Sequence, residues 1–296
     1  MKHLILGTDW WTDCDDAVAL RLLTRAHRSG KVKLLGIVIN ACMEHSVASL
    51  DAFLTLDGVD SPSIPLGIDL EATDFGGAPP YQTRLAKRAT VRRSNADAED
   101  PLRLYRRLLA DATEPVELIE IGYPQVLAAL LESQADVLSP LSGVELVRQK
   151  VSHIWMMAGK WDKDGETENN FRRNERSRKG AEAFCRLCPV PVTFLGWEVG
   201  FGVLTGDGLP DTDHLMLCLR DHGSENGRHS WDPMLVTLAL GASPEEEGYR
   251  TVQGTASVKL EDGSNYFVPS ARGLHRYVIK EKEDSFYRER IQKNIV

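Results

Sequence analysis

The chain has 296 residues, 42% hydrophobic and 26% charged, an ordinary balance for a globular protein and long enough to bury a sizeable core as one domain over residues 1–296. A formal net charge of -8 argues against non-specific binding to nucleic acid or an anionic membrane, and leaves a small neutral or cationic ligand as the easier partner. No apolar run reaches membrane-spanning length, MKHLILGTDWW lacks a signal-peptide pattern, and five cysteines are a sparse, odd set, so a reducing, cytoplasmic location is expected.

Leu4, Ile5 and Leu6 form a short apolar run, and Ala17, Val18, Leu20, Leu22 and Leu23 resume apolar character at helical spacing. Residues 4–23 therefore read strand, loop, helix. Asp9, Asp13, Asp15 and Asp16 crowd the loop. Two carboxylates about 5 Å apart repel by roughly 3 kcal/mol at an effective dielectric near 20. A helix N-terminus returns only ~0.3–1 kcal/mol per charge, so a bound divalent cation is the natural remedy. Aspartate oxygens suit calcium or magnesium, and Cys14 is the one softer donor nearby, which favours a hard cation over zinc. Helix capping by Asp13 or Asp15 is the simpler alternative, and it accounts for one or two of the four.

Residues 33–40 are a second buried strand with Asn40 at its carboxyl end, the rim of a parallel sheet where ligands gather. Helical patterning over 45–56 and a short apolar run at 64–67 continue an alternation of strand and helix. That alternation implies an α/β fold: an open, mostly parallel sheet with helices on both faces. Residues 69–100 have no clear period and read as a surface excursion, with a helix near 81–88. Their basic cluster, Arg84, Lys87, Arg88, Arg92 and Arg93, reads as a solvated face ahead of a phosphate site.

Helix character over 101–112 leads to a core strand at 116–121, which ends in Gly122-Tyr123-Pro124-Gln125 and a helix through 126–131. Residues 151–159 are the next strand. Glu168 and Asn170 follow two apart, so in an extended segment both side chains point one way, a carboxylate and a carboxamide able to meet a polar ligand; a plain polar loop is the simpler reading.

At the end of a helix over 179–187 stand Cys185 and Cys188, a C-x-x-C without a second pair, read as two buried or half-buried thiols. After a strand at 190–195, Glu198 either lines a site or opens the next helix. A polar, glycine-rich stretch at 221–230 precedes Trp231-Asp232-Pro233 and an apolar helix to Leu240. Strands at 251–259, 265–269 and 277–279 follow, and the charged tail 280–296 reads as a surface or interface helix.

TDWWTDCDDAVAL resembles the N-terminal signature of the inosine-uridine preferring nucleoside hydrolase family, whose aspartate-rich loop holds a calcium ion. Phosphatases of the haloacid dehalogenase type also carry aspartates after a first strand, but later segments separate the two. Met156-Met157-Ala158-Gly159 is similar to the hydrolase family's methionine-glycine-glycine strand end. Glu168-Asn169-Asn170-Phe171 and Trp231-Asp232-Pro233 resemble its glutamate-x-asparagine-phenylalanine and histidine-aspartate-proline motifs, in the same order.

The resemblance implies a nucleoside hydrolase-like sheet with calcium held by Asp9, Asp16, Asp232 and the Gln125 carbonyl. It implies that a ribonucleoside or related riboside is bound by Asp15, Asn40, Met156, Glu168, Asn170, Glu198 and Trp231. Asp9 would take a proton from the attacking water, and the clustered carboxylates would stabilise positive charge growing on the ribose. An assembly of two or four copies is also expected.

Two positions depart from the family. Gly7 stands where an aspartate is usual, and Trp231 replaces the histidine that helps the base leave. His229 is displaced by two residues and would point elsewhere, whereas Trp231 could stack on a planar base, worth ~1–3 kcal/mol. The missing histidine favours a second reading, a non-catalytic or regulatory ribosyl-binding protein that kept the metal cradle and lost the acid. Asp13 is extra to either scheme.

Overall fold

A computed structural model of the chain describes residues 1–11, 13–76 and 81–296. The strands in chain order are β1 Lys2–Thr8, β2 Val32–Ile39, β3 Leu66–Ile68, β4 Val116–Glu120, β5 Val151–Met157 and β6 Glu166–Thr167, then β7 Val192–Leu195, β8 Leu204–Thr205, β9 Arg228–His229, β10 Tyr249–Val258, β11 Ser264–Pro269 and β12 His275–Lys280. Ten of them form one sheet in the order β3-β2-β1-β4-β5-β7-β12-β10-β11-β6, and β8 pairs with β9 apart from it. Pairs from β3 across to β12 are parallel; the pairs beyond β12 are antiparallel.

Strand alternation splits the core between the two faces of the sheet. Leu4, Leu6, Ile37, Ile39 and Ile119 pack with the helices Asp15–Arg28 and Trp231–Leu240. Ile5, Val38 and Leu118 pack with Pro101–Asp111 and Glu175–Leu187 on the other side. The expected open, mostly parallel α/β sheet with helices on both faces is therefore present.

Because β2 and β3 lie to one side of β1 while β4 and β5 lie to the other, the winding reverses between β1 and β4. The carboxyl ends of those two strands flank a crevice, the usual place for a ligand in a doubly wound sheet.

Two expectations change. The stretch 69–100 is not a simple surface excursion, since Phe75, Tyr81, Gln82 and Leu85 are buried and Arg92 donates to Asp51 and to the Ser61 and Ile64 carbonyls. Its helix spans only Gln82–Ala86, and residues 77–80 lie outside the described residues. The tail forms the helix Asp284–Ile295, which buries Tyr287, Ile291 and Ile295, and Arg21 Nη1 donates to the Ile295 carbonyl at 3.0 Å. Cys185 and Cys188 are buried free thiols, as expected. Among the described residues no helix is long and apolar enough to cross a membrane.

Candidate functional site

Past the end of β1 the chain turns at Trp10, whose φ of 44° lies in the left-handed region. That conformation costs a residue with a Cβ about 1–2 kcal/mol. Burial of the indole holds it there: Nε1 donates to Ser49 Oγ at 2.8 Å, and the ring meets Phe53 and Tyr81 edge-on. In the tight loop that results, Trp11 N donates to Asp9 Oδ1 at 3.2 Å.

The helix Asp15–Arg28 carries Asp15 and Asp16 in its first turn, and the helix Trp231–Leu240 carries Asp232 in its own. The two N-termini meet, with Asp232 N donating to Asp15 Oδ2 at 3.2 Å. One carboxylate oxygen from each of Asp15, Asp16 and Asp232 lies within 4.8 Å of the others. The Thr8 hydroxyl and Trp10 N hold Asp16 from behind. Asp9, Asp15, Asp16 and Asp232 are all raised well above the ordinary carboxylate range, by burial first and by their neighbours' charge second. Buried, mutually repelling oxygens at two helix N-termini fit a hard divalent cation in donor type and in charge.

Asp13, the extra aspartate, has a different partner. Arg228 donates to it from Nε at 2.7 Å and Nη2 at 2.5 Å. This ion pair also engages the carboxylate of a second converging group, Asp13, Cys14 and His222.

The acids form part of the wall of a cavity of about 420 Å³, a size suited to a small molecule. Glu168 and Asn170 line it too. They are not on an extended segment: Glu168 caps the short helix Asn169–Arg172, accepting from Asn170 N at 2.8 Å and from Gly159 N at 2.9 Å. The cap satisfies amides that an extended chain would leave free. Burial pushes Glu168 up to about 7. Asn170 Nδ2 donates to the Met157 carbonyl at 2.9 Å.

Trp231 and Trp197 complete an aromatic side of the cavity, their rings stacked with centroids 6.2 Å apart and Trp231 Nε1 donating to the Trp197 carbonyl at 2.7 Å. The Arg228 guanidinium sits 5.3 Å from the centre of the Trp231 ring. His229 stacks on Phe201 and is not among the lining residues.

One cavity thus brings together Asp9, Asp15, Asp16, Glu168, Asn170, Trp231 and Asp232, with Asp15 rather than Asp9 in the tightest trio. Four expected positions fall elsewhere. Asn40 is fully buried, donating to Glu120 Oε1 at 2.8 Å and accepting from Tyr123 N at 3.0 Å. Gln125, expected to offer only its main-chain carbonyl, is not among the lining residues; its side-chain Nε2 donates to the Asn40 carbonyl at 2.6 Å, and Ile121 lines the cavity in that region. Met156 packs in the core on the opposite face of the sheet while Met157 lines the cavity, because adjacent strand residues face opposite ways. Glu198 accepts from Trp161 N at 3.3 Å and lines a separate cavity of about 370 Å³; burial pushes it up to about 7.

Sequence reasoning missed Trp11, Arg173 and Trp197 as lining residues, along with Arg228 on β9. It also missed Glu120. Gly7 pairs in register with Glu120, and a Cβ on Gly7 would stand 2.1 Å from Glu120 Oε2. The Glu120 carboxyl therefore fills the space that an aspartate at position 7 would occupy.

The α/β fold of this chain is shared with solved structures. The chain is similar to an inosine-guanosine nucleoside hydrolase, with a TM-score of 0.73 and 14% identity over 100% of this chain and 99% of that one. It is similar to the inosine-uridine preferring nucleoside hydrolase from Bacillus anthracis, with a TM-score of 0.70 and 14% identity over the same shares of the two chains. It is also similar to the type III effector XopQ in complex with adenosine diphosphate ribose, with a TM-score of 0.65 and 14% identity over 100% and 94%. No family profile and no curated relative matches the chain. The fold is that of the nucleoside hydrolases.

Proposed function

We propose that this protein hydrolyses the N-glycosidic bond of a ribonucleoside or a related riboside, releasing base and ribose. The observation that carries the proposal is the meeting of Asp15, Asp16 and Asp232, from helices far apart in sequence, beside Glu168 and Asn170 in one cavity. The fold's likeness to nucleoside hydrolases supports it.

Asp9, Asp16 and Asp232 would hold a calcium ion, with Asp15 against the same cluster. When bound, such an ion supplies positive charge that offsets carboxylate repulsion and makes a nearby water more acidic. Asp9 accepts the proton of the attacking water; burial, and then the charges of Asp15 and Asp13, raise its carboxyl above the ordinary range. Asp15, Glu168 and Asn170 hold the ribose hydroxyls, and the acid cluster stabilises the positive charge that develops as the bond breaks. Trp197 and Trp231 offer flat apolar faces to the departing base.

A second reading, a ribosyl-binding protein without turnover, draws support from Trp231 at the position of the leaving-group acid and from His229 stacked away on Phe201. Incubation with calcium and inosine, uridine or p-nitrophenyl riboside separates the two. Release of base from inosine or uridine supports hydrolysis of nucleosides. Nitrophenol release alone supports ribosyl chemistry without activation of the base, because that leaving group needs no proton. Absence of turnover with all three supports the binding protein.

A further inference from the structure

Resting on the ribosyl reading of this site, we infer that the riboside carries a phosphate ester on its sugar and that Arg173 receives that phosphate. The cavity walls carry the carboxylates of Asp9, Asp13, Asp15, Asp16, Glu168 and Asp232 and the guanidinium groups of Arg173 and Arg228. Arg228 is already neutralised by its two-point pairing with Asp13.

Arg173 is placed differently. Among the described residues it stands within ion-pair distance of no carboxylate, and its recorded hydrogen bond runs from Nη2 to the Phe75 carbonyl at 2.6 Å. Its guanidinium lies 4.5 Å from the centre of the Trp11 ring, so an indole covers one face. A guanidinium steadied by stacking and by one carbonyl, with further donors at the cavity, suits an oxyanion with several acceptor oxygens.

A neutral nucleoside offers nothing to match it. Sugar hydroxyls are served by Asp15, Glu168 and Asn170, and the base by the indoles of Trp197 and Trp231. Arg173 directly follows the helix Asn169–Arg172, on the same short segment as Glu168 and Asn170. The unmatched cation thus shares its segment with the two side chains that would hold the ribose, and all three line the same cavity. Hydrolysis of such a substrate breaks the same bond: water oxygen joins the anomeric carbon, the base leaves with a proton, and the phosphate ester stays intact.

The test is calorimetric binding of ribose and of ribose 5-phosphate to the full chain with calcium present. Ribose 5-phosphate should bind about tenfold tighter than ribose. That ratio should fall towards one in Arg173→Ala, survive in part in Arg173→Lys, and persist in Arg172→Ala, because both arginines are exposed but only Arg173 lines the cavity. Equal affinity for the two sugars in the wild type, or a preference that survives Arg173→Ala, overturns the inference and leaves the ribosyl site standing. Failure of both sugars to bind overturns the ribosyl reading and this inference together.

Discussion

Replacing Asp232 with asparagine keeps the shape of the side chain and removes one charge from the buried trio. The oxygens of Asp15, Asp16 and Asp232 lie within 4.8 Å of one another, and unit charges at that separation repel by roughly 3 kcal/mol per pair at an effective dielectric near 20. Without a cation the wild type relieves this repulsion by taking up protons, so Asp232→Asn should stabilise the metal-free protein by only about 1 kcal/mol. A cation at about a hundred times its dissociation constant stabilises the wild type by about 2.7 kcal/mol. In a chain of this size that is about 5 °C in Tm. Differential scanning fluorimetry in EDTA and in calcium reads both effects. The variant should melt about 2 °C higher than the wild type in EDTA and should lose most of the calcium-dependent rise. A variant that melts several degrees lower in EDTA yet keeps the full rise refutes the reasoning.

Burial pushes the Glu120 carboxyl up to about 8 from an ordinary value of 4.5. The folded chain holds that proton more tightly than the unfolded chain, so the stability it contributes is complete below about pH 4.5 and is lost as pH rises towards about 8. Glu120→Gln should flatten this decline in urea titrations at about pH 5 and about pH 8 with EDTA present; parallel declines in variant and wild type contradict the assignment. Gly7→Asp places a side chain 2.1 Å from Glu120 Oε2 and should cost at least ~2 kcal/mol, with most of the loss recovered when Glu120→Gly is added. Strictly additive losses in a double-mutant cycle would rule out the shared space. Trp231→His should raise turnover of inosine relative to p-nitrophenyl riboside by about a hundredfold, the low end of general acid catalysis. Equal changes for both substrates would show that the histidine supplies no proton.

The strands and long helices were legible because burial on both faces leaves unbroken apolar runs and 3.6-residue periodicity writes the rest: 45–56 and 231–240 became Ser46–Leu56 and Trp231–Leu240. Two helices, Gly143–Lys150 and His214–His222, went unread although their ends are marked. Ser142 and Glu145 form a capping box, and Asp213 caps the second helix, which stops at Gly223 with a φ of 79°. Within the site, the aspartates could be read because their crowding is local. Arg228 could not, because its partner Asp13 is 215 positions away. Arg173 gave no signal beyond being one arginine in Arg172-Arg173, of which only the second reaches the cavity. The resemblance points to Met156 because it aligns motifs, whereas the pleat decides which neighbour faces the cavity, and that is Met157.

Gly7 counted in the sequence as a lost acid, and the structure changes what that loss means. In a parallel pair, residues in register project from the same face, so Gly7 on β1 and Glu120 on β4 compete for one volume. The glycine vacates it, and the longer glutamate reaches across from the next strand with its carboxyl on Asn40 Nδ2 at 2.8 Å and Gly122 N at 3.0 Å. Asn40 in turn receives Tyr123 N on its side chain and Gln125 on its carbonyl, so the Glu120 carboxyl anchors the network joining the carboxyl ends of β2 and β4. The carboxyl at this level of the sheet comes from β4 and not from β1. The departure at Gly7 is thus met by an acid on the neighbouring strand. The case against hydrolysis then rests on Trp231, whose indole has no ionisable proton to give a departing base.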